Sequence, residues 1–323
     1  MTAKGAGGAG LVLLACTTIR MVAQPVVPPA AVAQFNQTIG NRVEAVTILG
    51  GDHSAAGGIY TFRGGTLADV KLSKVGGEGS IAASKPLGLG EVKWSPVLLG
   101  NLGFISAVNE FAGGYLQGNE MEYEMFAAQL GGGMRVYLTD HLSLSPTVSG
   151  IYGRIENDFI ARNPVGDAVK SAASGTFVDW TLDTWSIAPG IDGRYAWNWK
   201  RTRFELASRY TFFHTESFNG SSPVIDVEGN SHTWQNKLDV DVPLGWEVFG
   251  GELHTGGFVS RTELFGGASD GLNEDHVYSF NGRFVLDVLG KFWVVRWVGV
   301  GVSYFRGEHV DGWTAGLDLK LQF

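Results

Sequence analysis

Apolar and polar residues alternate with a period of two along most of the chain beyond residue 50. In the last stretch, GWTAGLDLKLQF from Gly312 to Phe323, the residues Trp313, Ala315, Leu317, Leu319, Leu321 and Phe323 share one face. Thr314, Gly316, Asp318, Lys320 and Gln322 share the other. A period of two belongs to a β-strand, and about 9–11 residues is the length with which a tilted strand crosses a bilayer. The same alternation recurs upstream. Val298, Val300, Val302 and Tyr304 alternate with Gly299, Gly301 and Ser303, and Tyr278, Phe280, Phe284 and Leu286 with Ser279, Asn281, Arg283 and Asp287. The polar faces are expected to line the inside of a closed sheet and the apolar faces to meet lipid. With Phe323 as the last residue, lipid is what is expected to cover the final apolar face; the competing reading is the edge strand of a soluble sandwich.

Turn-forming residues divide this pattern. Tight turns are predicted near Gly100-Asn101, Thr139-Asp140, Lys200-Arg201, Gly245 to Gly250 and Gly290-Lys291. Longer polar connections are predicted near Ala112 to Glu120, Asn157 to Phe177, Asn219 to Asn230, Gly266 to Glu274 and Gly307 to Asp311. Short periplasmic turns alternating with longer extracellular loops are the asymmetry of bacterial transmembrane barrels. Ten strands follow from Leu102 onward, Glu91 to Leu99 supplies another, and one more is expected within Gly58 to Val75, about twelve in all. The register between Thr66 and Gly90 stays open, because Pro86 and several glycines interrupt it.

Charge placement fits such a wall. Arg135, Asp192, Arg194, Arg203, Glu205, Arg209, Lys237, Asp239 and Asp241 fall on inward positions, and their mixed signs predict ion pairs rather than a filter of one sign. An Arg on the lipid face costs about 2–4 kcal/mol near the midplane and about 0–1 kcal/mol near the interface. Arg at Val300 is therefore expected to be costly and Arg at Ser303 milder, while the outward Arg296 sits beside a turn. Trp94, Trp197, Trp199, Trp246, Trp293 and Trp297 are expected to form a periplasmic aromatic girdle, and Tyr115, Tyr123, Trp180, Trp234, Tyr278 and Trp313 an outer one.

The N-terminal part has a different pattern. Lys4, the apolar run Leu11 to Cys16 and the small residue Ala23 predict an export signal over residues 1–23. Leu13-Leu14-Ala15-Cys16 also resembles a lipoprotein processing box. Residues 24–50 are read as a proline-stiffened linker followed by an amphipathic helix over Ala30 to Leu49, with Phe35, Ile39, Val43 and Val46 on one face. At 1.5 Å per residue that helix spans roughly 30 Å, about the hydrocarbon thickness. It fits inside a barrel lumen, with a periplasmic helix packed on the barrel mouth or a frayed leader as the alternatives. Residues 51–323 form the barrel.

Composition narrows the class. The 323 residues contain no apolar run long enough for a helical membrane span, yet they include 47 Gly, 10 Trp and 19 Phe with only 17% charged residues. The net charge of −8 leaves no basic excess for a nucleic-acid partner. A lone Cys16 forms no disulfide within the chain. His214, Glu216, His232, Asp275, His276 and His309 gather near the outer rim, where a His beside a carboxylate can act as a general base. No HExxH, P-loop or CxxC motif accompanies them, so solvated rim residues are the stronger reading and a rim hydrolase the alternative. Asp270, Asn273, Glu274 and Asp275 lack the spacing of a calcium loop and read as a charged loop.

The runs FNQTI (Phe35 to Ile39), GGIYTF (Gly57 to Phe62), LTDHLSLSP (Leu138 to Pro146), FFHTESF (Phe212 to Phe218), DVDVPLG (Asp239 to Gly245) and TGGFVSRTELFG (Thr255 to Gly266) are similar to those of the solitary outer-membrane autotransporter β-barrel family. The resemblance implies a twelve-stranded barrel with an N-terminal segment threading its pore. Between Ala23 and the helix there is no room for a passenger domain, and Asn36 and Asn41 do not form an Asn-Asn self-cleavage junction. The expectation is an all-β, transmembrane antiparallel β-barrel of about 12 strands in the outer membrane, with an N-terminal α-helix that the lumen could hold. It is non-enzymatic, with no catalytic, cofactor-binding or metal residue assigned. It is monomeric, with outer-membrane lipid and the barrel assembly machinery as its partners.

Overall fold

The computed structural model describes residues 55–62, 69–80, 87–89, 92–111, 114–292 and 295–321. The expected signal over 1–23, Cys16, the helix over Ala30 to Leu49, and Trp293 and Phe323 lie outside these residues.

Among the described residues, thirteen strands form one antiparallel sheet. They are β1 (Ala55–Phe62), β2 (Asp69–Ser80), β3 (Leu87–Leu89), β4 (Val92–Glu110), β5 (Glu120–Tyr137), β6 (Leu142–Ile160) and β7 (Trp180–Trp199), followed by β8 (Thr202–Gly220), β9 (Glu228–Val248), β10 (Gly251–Gly266), β11 (His276–Phe292), β12 (Val295–Arg306) and β13 (Val310–Leu321). Each strand from β4 to β13 pairs with its neighbour in sequence. β13 pairs with β1, β1 with β2, and β2 with β4, which closes the ring. β3 only extends the foot of β4, so thirteen strands less β3 leave twelve in the wall. Closure removes the unpaired edges that would otherwise invite association.

The expected count of twelve is reached by a different division. Gly100 and Asn101 do not turn: they lie mid-strand in β4, paired to Leu130 and Gln129 on one side and to Gly77 and Gly76 on the other. Asn101 Nδ2 donates to Gln129 Oε1 at 2.7 Å, so an Asn that reads as a turn former finds its partner inside the sheet. The single strand expected between Gly58 and Val75 is two, β1 and β2. Splitting one strand and merging two others cancelled. β11 likewise runs through Gly290 and Lys291, with its register against β12 shifting between Asp287 and Phe292. The other turns stand where expected. The β9–β10 link, Phe249-Gly250, has positive φ at both residues (50° and 75°), the backbone twist that tight hairpins favour.

Two helices that the pattern did not predict fill the long connections: α1 (Pro164–Ala173) and α2 (Gly267–Leu272). α1 begins conventionally, with Asn163 as N-cap accepting from Gly166 N at 2.8 Å and Pro164 in the first turn.

Candidate functional site: a polar lumen beneath an apolar cap

Each tall strand changes character partway along. In the lower part of β6, nearer the tight turns, Leu142, Leu144, Val148 and Tyr152 face out and Ser143, Ser145 and Ser149 face in. Above Tyr152 the faces exchange: Arg154, Glu156 and Asp158 point out, and Ile155 and Phe159 point in. β5 does the same. Phe126, Leu130 and Met134 face out below, and Glu122 and Glu124 above, while Met121, Tyr123 and Met125 face in. The lower half is built for an apolar exterior and the upper half for water outside and a dry interior. The outward apolar run Leu142–Tyr152 matches the about 9–11 residues of one tilted crossing.

The upper interior is therefore a hydrophobic core. Inward Ile105, Met125, Ile155, Phe159, Trp180 and Leu182 meet Leu116, Val169, Val178, Ile225, Val227, Ala268 and Leu272 from the long connections. Phe159 and Trp180 are 0% and 1% exposed. Trp180 Nε1 donates to Phe177 O at 3.1 Å, and its ring meets Tyr123 edge-on with centroids 6.5 Å apart. Two residues expected in the outer girdle, Tyr123 and Trp180, thus belong to this core. Their period-two position is inward, and a dry interior accepts what the lipid face would otherwise have taken. Tyr115, Trp234, Tyr278 and Trp313 do stand exposed.

Polar contacts tie the loops over this core. Asn119, fully buried, donates through Nδ2 to Leu116 O and accepts through Oδ1 from Arg162 N, both at 2.8 Å, joining the first connection to the second. Gly166 of α1 packs so closely on Asn119 that a Cβ there would collide with the amide oxygen. Ser222 Oγ donates to Thr176 O at 2.7 Å, joining the third connection to the second. Glu274 is almost wholly buried and accepts from the backbone N–H groups of Glu308, His309 and Val310, joining the fourth to the fifth. A carboxylate that accepts several N–H bonds is well satisfied in a dry site. Glu274 is thereby a structural latch.

Below the cap the lumen is polar and its charges are paired. Asp192 receives Arg194 at 2.6 Å and Arg209 at 3.2 Å; Glu205 receives Arg203 at 2.8 Å and lies 3.8 Å from Arg194. Arg283 holds Asp239 with both terminal nitrogens, at 2.9 and 2.7 Å. It reaches from β11 to β9 across Gly256, the β10 residue in register with Arg283 on one side and Asp241 on the other. A Cβ on Gly256 would collide with Val240 O. His254 Nδ1 lies 2.8 Å from Asp241 Oδ2, and Arg135 Nε donates to Ser145 Oγ at 3.2 Å. Lys237 sits 5.2 Å from the Phe258 ring. All nine inward charges read from the sequence face the lumen. Trp297, expected in the lower girdle, also faces in, its ring beside His254. Ser303, expected to tolerate an Arg, is 0% exposed under Asn281 Nδ2 at 3.0 Å, so the space that expectation needed is filled.

The rim histidines are dispersed over the outer wall and the loops. His214 contacts Glu216 and Asn230 at 2.9 Å, His232 contacts Tyr210 Oη at 2.7 Å, and His276 packs on Tyr278. His309 lies beside the Glu274 latch, and Asp275 accepts from Ser269. Among the described residues none of these four rings hydrogen-bonds a Ser hydroxyl. Asp270 lies in the first turn of α2 and Asn273 forms its left-handed C-cap, so the four polar residues of that connection point to separate tasks.

The inward apolar core was missed because each strand was read with one face assignment along its whole length. The signal that would have found it is the exchange of faces, apolar on even positions below Tyr152 and on odd positions above it.

The fold has clear relatives. A family model described as solitary outer membrane autotransporter beta-barrel domain matches residues 85–317. The β-domain of the Bordetella autotransporter BrkA superposes with a TM-score of 0.53 at 13% identity, over 82% of this chain and 96% of that one. The transport unit of AIDA-I from Escherichia coli gives 0.52 at 11% identity, over 92% and 99%. The translocator domain of NalP from Neisseria meningitidis gives 0.51 at 12% identity, over 91% and 98%. Among curated proteins no relative matches the chain.

Proposed function

The chain belongs to the solitary outer membrane autotransporter β-barrel family and resides in the outer membrane, and from that premise we propose that it is a shut barrel with a structural role at the cell surface rather than a conduit or an enzyme. The apolar cap carries this reading, since charged or hydrated solutes would have to cross the dry core that the described residues form. The long connections and the cap are extracellular, and the tight turns are periplasmic. Outer-membrane lipid surrounds the lower apolar band, and the assembly machinery reads the terminal strand with Phe323. The barrel works as a monomer.

The N-terminal segment is the second closure. Residues 30–49 enter the polar lumen as a helix, where Gln37, Asn41, Arg42 and Glu44 meet charges of both signs such as Arg209 and Glu205. A twelve-stranded wall lies between side-chain-filled barrels and open porins, with room for one helix. Planar-bilayer conductance tests both closures. The intact chain should stay shut, and removal of residues up to Leu49 should raise conductance severalfold in a variant whose cap has been opened by Trp180→Ala. Equal conductance with and without the segment in that background would remove the lumen helix, and steady conductance by the intact protein would remove the shut barrel.

The depth of the wall can be tested at β12. Val300→Arg, on the exposed outward face, is expected to destabilise the folded barrel by about 2–4 kcal/mol. Arg306, six residues further up the same strand, is already outward and tolerated. Denaturant unfolding in lipid vesicles reads the difference, and an unchanged midpoint for Val300→Arg would place that position away from the midplane.

A further inference from the structure

At the level where the outward apolar band of β10–β12 ends, the wall carries two arginines around one tyrosine. Arg261 lies over the Tyr278 ring, with its guanidinium carbon 5.6 Å from the ring centroid. Arg261 and Arg306 are the cross-strand partners of Tyr278 on its two sides. Glu263 engages Arg261 through Nε at 2.6 Å, and the Arg261 side chain is half exposed. Arg306 is exposed and forms no ion pair among the described residues, with Asp311 across from it in register. Two outward positions below Arg261 and Tyr278 lie Gly257 and Gly282, paired side by side. An added Cβ on Gly282 would meet nothing within 4 Å, so the pair leaves a dent at Gly282, while Gly257 is packed on Asn281 O; the neighbours Phe280 and Val302 stand well exposed.

We propose that this patch binds a phosphate-bearing acylated lipid of the outer leaflet, the phosphate between Arg261 and Arg306 and one acyl chain along the dent at Gly282. Arginines present planar forks of N–H donors that match phosphate oxygens, and the aromatic face keeps the Arg261 fork in place. Their height is that of a lipid headgroup, because the apolar band stops one position below and an aromatic row that includes Tyr278 and Trp313 marks the interface. A lipid phosphate therefore meets the cations without leaving its leaflet, while its chain meets the dent. No electron or bond changes hands; the step is association alone.

Native mass spectrometry of the full chain, folded in detergent and offered diphosphorylated lipid A, tests the assignment. The wild type should retain one lipid A per barrel. Retention should fall about thirtyfold for Arg261→Gln/Arg306→Gln, from the loss of two cations near the headgroups. It should fall by a similar factor for the wild type offered lipid A stripped of its phosphates. Gly282→Leu, which fills the dent and leaves both arginines, should lower retention severalfold, and Arg154→Gln, on another part of the wall, should not change it. All variants are first checked for the heat-modifiable folded form. Equal retention by the double variant would overturn the proposal, as would equal retention of phosphorylated and stripped lipid. Displacement by equimolar inorganic phosphate would also overturn it, since the acyl chain would then contribute nothing.

Discussion

Trp180→Ala is expected to open the extracellular end of the barrel. Trp180 is among the largest fully buried side chains and sits where the α1 connection, β5 and β7 converge on the cap core. Truncating a buried Trp to Ala costs about 3–5 kcal/mol, from lost transfer energy and the cavity left behind. The lower wall does not share this residue, so the loss falls on the cap, and the cap is held to the wall by the same packing. With residues up to Leu49 also removed, so that the lumen helix cannot mask the effect, single-channel recordings should show bursts of conductance that the protein with Trp180 lacks, while the heat-modifiable barrel persists. A variant that stays shut would mean that the loops close the mouth through the Asn119, Ser222 and Glu274 contacts alone.

Asp239→Ala is expected to be the most damaging change in the lumen. It strands Arg283, whose side chain is 12% exposed, without its bidentate carboxylate. Removing one partner of a buried pair costs about 3–5 kcal/mol, because the remaining charge is left uncompensated. Replacing both, Asp239→Leu with Arg283→Met, should recover most of the loss, since a buried pair is often matched by apolar groups of similar volume. Guanidinium unfolding of the three variants in vesicles checks both statements. A single substitution no worse than the double would show Arg283 to be solvated by the lumen.

The barrel was legible from period-two alternation because each wall residue has two solvents to choose from, and β12 up to Tyr304 and β13 from Gly312 onward keep one choice. Inward Asp192, Arg194, Arg209 and Asp241 could be placed by parity alone. Their partners could not, because Arg283 reaches Asp239 across a strand, a contact that depends on the missing side chain of Gly256 and on a register no local pattern states. Gly100-Asn101 reads locally as a turn, yet β2 and β5 on either side offer that stretch more hydrogen bonds than a turn would. Tyr123 and Trp180 were placed at the interface because aromatics near strand ends favour it. The cap core made them interior residues instead, and only loop residues far away in the chain, such as Val169 and Ile225, create that interior.

The exchange of faces along the tall strands also bears on time rather than equilibrium. Glu122, Glu124, Arg154, Glu156 and Asp158 stand on the outside above the apolar band, and withdrawing the barrel toward the periplasm would drag every one of them through hydrocarbon. Each would have to shed its water or be neutralised on the way. The barrier to extraction therefore grows with the number of charges rather than with the stability of the folded wall. Once inserted, the protein is held by a ratchet: its residence in the membrane is governed by how slowly it can leave, even where a substitution has removed much of its folding free energy.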